Sequence, residues 1–441
     1  MSREFDLDEI LSFPTPIIEK YLEGYHIILA PQNPNWIVLN DEEYNMFKYL
    51  REGQSLRTSL ENYYSKYCGD EEECIRILTS LLEQINDVDF TSDATVSEEE
   101  PIEKITKKVH IGTTNGCNMR CKHCYMAAGK NPLETIDLDK TVRIIKGLNK
   151  IYGNLEIVVS GGEPLTYKNI YSLLEQIKDN YIILFTNGSL ITENNAAIIA
   201  ECCNEVQISF EGITPECYGL VRDIEKYEAV LNALRLLKEH NIKIVLAVTL
   251  LPDTMFDIQK NLIGFVKSLD YNNIEVRIND DIEISGNAES MKITKQSKID
   301  SNEIVIQMIR ELDRIGCSIQ NNDIRNTRFT NCGIGTSVVI NYDGKVYPCH
   351  KFSDYSLSDS SSVEQIVKQF NTVNLQTSNN NILKCHTCDL RYICSGGCRI
   401  DHYLKNGSMT EVSCDEEYKN QQLLKLIRDH RMYREKVEFE Q

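Results

Sequence analysis

The stretch Cys117-Asn-Met-Arg-Cys121-Lys-His-Cys124-Tyr125 decides how the rest of the chain is interpreted. Its three cysteines are spaced C-x3-C-x2-C, and Gly112 and Gly116 before them predict an exposed loop rather than a helix or a strand. Three clustered thiolates are one ligand short of a closed tetrahedral or cubane metal site. A metal position left open in this way can bind and activate a small molecule.

Three further motifs each follow a predicted strand. Ser160-Gly161-Gly162-Glu163-Pro164 has glycines that let a backbone approach a ligand closely and a carboxylate suited to a cationic group. Thr186-Asn187-Gly188 ends the next strand, where a plain turn is the competing explanation. Ser209-Phe210-Glu211-Gly212 ends the strand after that. Arg222 follows thirteen residues after Ser209, and its guanidinium suits a planar carboxylate.

Strand-like runs alternate with amphipathic helical patterns from about residue 108 to residue 310, which predicts βαβ units and a parallel sheet. The predicted strands are Val109–Thr113, Glu156–Ser160, Ile182–Thr186, Glu205–Phe210, Lys243–Leu250 and Ile274–Ile278. The predicted helices include Leu138–Ile151, Ile170–Lys178, Ile191–Cys202 and Tyr227–His240. We expect the motifs to meet at the carboxyl ends of these strands.

Together these motifs resemble the radical S-adenosylmethionine (SAM) superfamily. The resemblance implies an α/β fold with a partial (β/α)6 barrel at residues 108–310. It also implies a [4Fe-4S] cluster on Cys117, Cys121 and Cys124, whose fourth iron is chelated by SAM. The implied SAM contacts are Tyr125, Gly161, Gly162, Glu163, Pro164, Thr186, Asn187, Ser209, Glu211 and Arg222. The alternative interpretation is a partial zinc site completed by His110 or His123.

A second set of seven cysteines lies in residues 311–441 and resembles the SPASM domain, which implies two auxiliary [4Fe-4S] clusters. The resemblance assigns one cluster to Cys385, Cys388, Cys394 and Cys414, and the other to Cys332, Cys349 and Cys398. Fully ligated relatives carry an extra cysteine where this chain has Val338, so the second cluster has an open iron, or His350 or a water closes it.

The first 95 residues predict strands at Tyr25–Ala30 and Trp36–Leu39, followed by helices at Asp41–Leu50, about 55–67 and Cys74–Ile85. Asn40 followed by Glu43 is a helix-capping pattern. This order resembles the winged-helix domain (RiPP recognition element) that binds the leader of a ribosomally made precursor peptide. A generic winged helix or a dimerisation module is the alternative. Residues 96–107 are polar and predict a linker.

Composition excludes several classes of function. The net charge of −19 would repel nucleic acid, and 22 acidic against 7 basic residues at positions 1–100 predict a solvated acidic face or a docking surface for a basic partner. The sequence shows neither a membrane span nor a signal peptide, so we expect a cytoplasmic protein with no membrane partner. The six cysteines outside the motifs are interpreted as ordinary thiols: Cys68, Cys74, Cys202, Cys203, Cys217 and Cys317.

The resemblance therefore implies a radical SAM maturase that crosslinks a ribosomally made peptide, with a Cys-to-carbon thioether as the leading bond type. The implied partners are the precursor peptide and an external electron donor such as a flavodoxin or ferredoxin. A carbon–carbon or other crosslink is one alternative. Another alternative is a formylglycine-forming dehydrogenase similar to the sulfatase maturases. Two departures weaken this alternative: Val338 stands where those relatives have a cysteine, and His350 stands where they have an Asp base. A non-catalytic metal-binding, peptide-binding protein is the third.

Overall fold

A computed structural model describes residues 5–67, 70–92, 95–98, 107–280, 285–292, 294–319, 325–351 and 362–440. The chain forms two compact units. The terminal unit comprises residues 1–100, 322–332 and 375–441, and the parallel-sheet unit comprises residues 101–321 and 333–374. Among the helices that the structure describes, none is both long and apolar enough to span a membrane.

The N-terminal residues form a small antiparallel sheet followed by three helices. The sheet is β1 (Ile18–Leu22), β2 (Tyr25–Ala30) and β3 (Asn35–Leu39), in that order; the helices are α1 (Asp41–Arg51), α2 (Leu56–Tyr67) and α3 (Glu71–Asp87). The predicted cap is present, because Asn40 Oδ1 accepts a hydrogen bond from Glu43 N at 2.8 Å and Glu43 Oε2 accepts one from Asn40 N at 3.1 Å. The predicted strands and helices are confirmed, and β1 is an addition to them.

The parallel-sheet unit confirms the predicted alternation of strands and helices. Its strands are β5 (Lys108–Gly112), β6 (Glu156–Ser160), β7 (Tyr181–Thr186), β8 (Glu205–Ser209), β9 (Lys243–Thr249), β10 (Ile274–Asn279) and β11 (Ser318–Ile319). Its helices in this region are α4 (Leu138–Tyr152), α5 (Ile170–Ile177), α6 (Ala196–Cys202), α7 (Pro215–Val221), α8 (Tyr227–Glu239), α9 (Met255–Leu269) and α10 (Lys295–Arg314). Only the predicted helix Ile191–Cys202 is clearly shorter, since it starts at Ala196.

The C-terminal residues contribute to both units. Their elements are β12 (Thr327–Arg328), β13 (Ser337–Ile340), β14 (Val346–Tyr347), α11 (Val363–Gln376), α12 (Arg391–Cys394), α13 (Arg399–Asn406) and α14 (Glu416–Glu440). The large sheet has the order β11-β10-β9-β8-β7-β6-β5-β13-β14. All neighbouring strands in it are parallel except β13 and β14, which form a hairpin. The second cysteine region therefore extends the sheet that carries the first.

The predicted linker lies mostly outside the described residues, which omit 99–106. Ser97–Glu98, at its start, forms β4 and pairs in parallel with β12.

The N-terminal sheet is covered on both faces within the terminal unit. One face, with Ile28 and Ile37, packs on α1, α2 and α3. The other face packs against α14 and the cysteine segment before it; this core contains Ile27, Leu29, Trp36, Val38, Leu390, Leu423, Leu426 and Ile427, with Cys388 and Cys394 beside it. The salt bridge from Lys20 Nζ to Asp389 Oδ2, 2.9 Å long, joins the same two parts of the unit. The N-terminal sheet thus depends on the C-terminal residues for half of its burial.

We predict that Leu426→Ala destabilises the terminal unit by about 2–5 kcal/mol, because it removes a buried side chain from this shared core. Leu424→Ala on the same helix is the matched control, since Leu424 is 41% exposed and should cost little. Denaturant unfolding followed by the fluorescence of Trp36, the only tryptophan of the chain, reports on this core directly. Equal losses in both variants would contradict the shared core.

Candidate functional site

The three cysteines of the first motif lie on the loop that follows β5. Backbone amides are close to two of the sulfurs, with Met119 N at 3.4 Å from Cys117 Sγ and Ala128 N at 3.5 Å from Cys124 Sγ. Burial raises the pKa of Cys117, and it raises the pKa of Cys121 to about 11; the charges of the neighbouring cysteines add to both shifts. The three thiols therefore lie near one another, and the raised pKa values keep Cys117 and Cys121 protonated until a metal displaces their protons.

The glycines of the second motif hold this cysteine loop against the sheet. Gly162 N donates to Thr114 O at 2.6 Å, and Glu163 N donates to Gly116 O at 2.8 Å. A Cβ on Gly162 would lie 2.2 Å from Gly116 O, and one on Gly161, whose φ is +149°, would lie 2.7 Å from Thr114 O. The close approach that these glycines permit is thus to the backbone of the cysteine loop itself.

Glu163 joins the second and third motifs. Its carboxylate is fully buried and accepts hydrogen bonds from Thr186 Oγ1 at 2.7 Å, Asn187 N at 2.7 Å and Leu165 N at 3.1 Å. Burial raises its pKa despite these donors. Pro164 begins the short helical turn that follows and is buried as well. Glu163 therefore fixes the ends of β6 and β7 relative to each other, a role that the sequence did not predict.

A polar network extends from Asn187 to the cysteine loop. Asn187 Nδ2 donates to Asn118 Oδ1 at 2.9 Å and lies 4.0 Å from Cys117 Sγ, while its Oδ1 accepts from Ser189 N and Oγ. Asn118 Nδ2 donates in turn to Ser189 Oγ at 2.9 Å. The plain-turn explanation of Thr186-Asn187-Gly188 is incomplete, because this turn orients a residue of the cysteine motif. Asn118 and Ser189 were not among the predicted site residues.

Arg222 and Glu211 form a buried ion pair behind the cysteines. Arg222 Nε donates to Glu211 Oε2, and Arg222 Nη1 lies 3.5 Å from Cys121 Sγ. Burial alone would raise the pKa of Glu211, but the charges of Arg222 and His123 and the hydrogen bonds from Arg222 and Thr249 hold it below its usual value. The pair thus supplies a fixed cation beside one sulfur.

The structure also locates Ser209, Tyr125 and the segment that follows β10. Ser209 is the last residue of β8 and is half-buried, at the same edge of the sheet as the other motifs. The Tyr125 side chain is 52% exposed, so it is not part of the core. Asn287 N donates to Cys124 O and Asn287 Nδ2 to Cys121 O, both at 2.9 Å. Asn287 was not predicted; the small polar run Ser285-Gly286-Asn287 after a strand is its sequence signal.

The histidines offered for a zinc site have other neighbours. His123 Nε2 lies 3.8 Å from Glu211 Oε1, and burial lowers the pKa of His123. His110 lies on β5 with its ring centroid 6.1 Å from that of His350. Burial lowers the pKa of His110 to about 4, so its ring is neutral at pH 7. Across the described ranges, no three His, Cys, Asp or Glu side chains converge as ligands of a single ion would.

Four of the C-terminal cysteines lie near one another in the terminal unit. Burial raises the pKa of Cys385 to about 11, and the charges of Cys388, Cys394 and Cys414 contribute to the shift. Cys332 and Cys398 are also neighbours in this unit, since the charge of Cys332 contributes to the raised pKa of Cys398. Cys349 follows β14 and belongs to the parallel-sheet unit. Val338 is fully buried on β13, where it pairs with Val109.

The donor sets fit iron–sulfur clusters. Three thiols on one loop, with backbone amides and a guanidinium close to the sulfurs, suit a three-cysteine [4Fe-4S] cluster. Cys385, Cys388, Cys394 and Cys414 suit a fully ligated one. A cubane places each thiolate on a different iron, whereas zinc draws all its ligands to one point.

Comparisons with protein families agree with this chemistry. Residues 111–262 match the model of the Radical SAM superfamily, and residues 332–389 match that of the SPASM iron-sulfur cluster-binding domain. The chain therefore contains a Radical SAM domain, the domain of an enzyme superfamily, and a SPASM domain.

The sequence identity between this chain and individual relatives is low. A probable GTP 3',8-cyclase of Methanocaldococcus jannaschii is 28% identical over 132 residues, which are 29% of this chain and 44% of that protein. The antilisterial bacteriocin subtilosin biosynthesis protein AlbA of Bacillus subtilis is 24% identical over 261 residues, 56% of this chain and 55% of AlbA. The matches thus span only about half of each relative.

Two solved structures share the fold. Streptococcus suis SuiB bound to S-adenosylmethionine has a TM-score of 0.56 at 14% identity, covering 92% of this chain and 99% of SuiB. Native anSMEcpe with bound AdoMet has a TM-score of 0.57 at 19% identity, covering 74% of this chain and 97% of anSMEcpe. SuiB has also been solved bound to its precursor peptide SuiA. At these identities the likeness establishes the fold, an α/β radical SAM architecture.

We predict that Gly162→Ala prevents the cysteine loop from closing on the sheet, because the added methyl would overlap Gly116 O. Anaerobically reconstituted protein should then lose about four irons per chain, the content of one cubane. Gly264→Ala is the control, since a Cβ there meets nothing within 4 Å. Full iron in the Gly162→Ala protein would show that this contact does not hold the loop.

We predict that Glu211→Gln destabilises the protein by about 3–5 kcal/mol, because it leaves the buried Arg222 cation without its counter-charge. The double substitution Glu211→Leu, Arg222→Met removes both charges and should cost less than either single change. Denaturant unfolding of the metal-free variants measures these differences. Additive losses would mean that the two side chains do not act as a pair.

Proposed function

We propose that this chain is a radical SAM maturase that crosslinks a ribosomally made precursor peptide, with a Cys-to-carbon thioether as the bond formed. One observation carries the proposal: the chain groups three cysteines at the carboxyl edge of its parallel sheet and four more in its terminal unit. A protein that only binds peptides would need neither of these two groups of cysteines. The AlbA and SuiB relatives, one named for bacteriocin biosynthesis and the other solved with a precursor peptide, support a peptide substrate.

We assign the radical SAM cluster to Cys117, Cys121 and Cys124. When bound, this cluster and SAM supply a 5'-deoxyadenosyl radical that removes a hydrogen atom from the substrate, and auxiliary clusters supply an electron acceptor. The Gly161-Gly162 backbone holds the loop closed, and Arg222 places a positive charge beside Cys121. SAM contacts are assigned to Tyr125, Gly161, Gly162, Glu163, Pro164, Thr186, Asn187, Ser209, Glu211 and Arg222, of which Glu163 acts through Thr186 and Asn187.

We assign the auxiliary clusters to the SPASM cysteines. Cys385, Cys388, Cys394 and Cys414 would hold a closed cluster, and Cys332, Cys349 and Cys398 a three-cysteine cluster with an iron open to the thiolate of the substrate. Val338 supports the open iron, because the position that carries an extra cysteine in fully ligated relatives is an apolar strand residue here. An external electron donor would reduce the radical SAM cluster.

The atoms and electrons of thioether formation balance when a radical SAM cluster, SAM and auxiliary clusters take part. The substrate carbon loses one hydrogen atom to the adenosyl radical, and the substrate thiol loses its proton. Joining sulfur to carbon would then release one electron, for which the auxiliary clusters would be the acceptor. The peptide thus loses two hydrogens and gains one C–S bond.

The leader of the precursor is assigned to the N-terminal sheet and helices of the terminal unit. An extended peptide binds such a domain by adding a strand to the sheet edge. β1 and β3 are the edge strands of this sheet. SuiB, which has been solved with a precursor peptide, covers 92% of this chain, and this supports a peptide maturase.

We expect a defined product. Anaerobic enzyme, SAM, reductant and a cysteine-containing candidate precursor peptide should yield 5'-deoxyadenosine and a peptide lighter by two hydrogens. Mass spectrometry should find that the peptide cysteine no longer alkylates. The Cys121→Ser enzyme and the Cys→Ala peptide are the controls.

Other products would identify the alternatives. Loss of two hydrogens with a cysteine that still alkylates would indicate a carbon–carbon crosslink. An aldehyde at the former cysteine would indicate the dehydrogenase. Peptide binding without 5'-deoxyadenosine would contradict the maturase.

A further inference from the structure

Arg399, the first residue of α13, is the largest side chain that the structure buries completely. A guanidinium is always charged in proteins. Its three hydrogen bonds all go to neutral carbonyl oxygens: Nε to Thr377 O at 2.6 Å, Nη1 to Gly397 O at 2.6 Å and Nη2 to Ser395 O at 2.8 Å. Within the described ranges, no carboxylate forms an ion pair with it.

A buried cation is strongly unfavourable unless a negative charge compensates it. Arg222, which is also buried, shows the usual solution, because it is paired with Glu211. Carbonyl dipoles satisfy the donors of Arg399 but leave its charge uncompensated. The terminal unit therefore needs a further negative group close to this guanidinium.

The cysteines around Arg399 can provide that charge. The carbonyls of Ser395 and Gly397 belong to the turn between Cys394 and Cys398, and the Arg399 charge opposes the burial that raises the pKa of Cys385. Metal binding converts neutral thiols to thiolates. The negative charge then appears beside a cation that is already in place.

Arg399 also determines the shape of this turn. Ser395, Gly396 and Gly397 all have positive φ values, of 56°, 79° and 77°, which is unusual for the non-glycine residue Ser395. Arg399 binds the first and third carbonyls of the turn, and His402 Nε2 lies 2.9 Å from Gly396 O. The turn is therefore folded around two side chains of α13.

We propose that Arg399 is the internal counter-ion of the auxiliary iron–sulfur clusters and positions the turn that carries one ligand of each, Cys394 and Cys398. The inference rests on the two auxiliary clusters of the proposed function. It adds a residue that touches no peptide and no SAM but on which cluster assembly depends. Cluster assembly depends on the positive charge of Arg399 and not only on the hydrogen bonds of its guanidinium.

Two substitutions separate charge from hydrogen bonding. Arg399→Met removes the positive charge and the hydrogen bonds, whereas Arg399→Lys keeps the charge and loses the planar guanidinium. Lys405→Met, at an exposed position of α13, is the control. Full-length protein is reconstituted anaerobically, and iron, sulfide and the EPR signals of the reduced clusters are measured. We expect Arg399→Met to lose the auxiliary signals and most of their iron but to keep the SAM-responsive signal. Arg399→Lys should retain most of the auxiliary EPR signals and most of the auxiliary iron.

Thermal unfolding supplies a second readout. The loss of melting temperature caused by Arg399→Met should be larger after anaerobic reconstitution with iron than in iron-free protein, since only reconstitution gives the wild-type protein thiolates for Arg399 to compensate. Equal losses in the two forms would reduce Arg399 to a structural residue and overturn the proposal.

The iron content can also contradict the proposed role of Arg399. Full auxiliary iron in the Arg399→Met protein, or equal loss of iron in the Arg399→Lys and Arg399→Met proteins, would show that Arg399 is not the counter-ion. Wild-type protein with the iron of a single cluster would instead refute the auxiliary clusters themselves, which is a distinct failure.

Discussion

The contact between the cysteine loop and the Gly161-Gly162 segment is the constraint on which the parallel-sheet unit depends. Two backbone hydrogen bonds, from Gly162 N and Glu163 N, close the loop onto the end of β6. The same segment places Glu163 where its carboxylate ties down the end of β7. Because the carboxyl ends of parallel strands share one edge, this local contact brings residues from four strands to the three thiols.

Buried charge is the second organising feature. Each unit contains an arginine beside its cysteines, but the two are balanced differently. Arg222 has a carboxylate partner and is compensated before any metal arrives. Arg399 has only carbonyl oxygens as hydrogen-bond partners. The first arrangement gives a preformed site, and the second couples folding of the terminal unit to the charge that its thiols acquire.

The sequence predicted the sheet well, because buried strands and amphipathic helices leave periodic patterns that do not depend on distant residues. The six strands that the sequence predicted for the parallel sheet all lie within one residue of their observed bounds at each end. Long-range contacts were not predictable in this way. Nothing in the pattern of Trp36 or Val38 shows that α14 covers them. Glu163 matched a motif, yet its hydrogen bonds to Thr186 and Asn187 could be found only in the folded chain.

The most direct test of this account is the iron and acid-labile sulfide content of anaerobically purified protein, with Mössbauer spectra, beside a variant in which Cys117, Cys121 and Cys124 are all alanine. We expect about twelve irons per chain in three [4Fe-4S] clusters, with loss of about four in the variant. Stoichiometric zinc with little iron, or an iron content that the three substitutions leave unchanged, would contradict it.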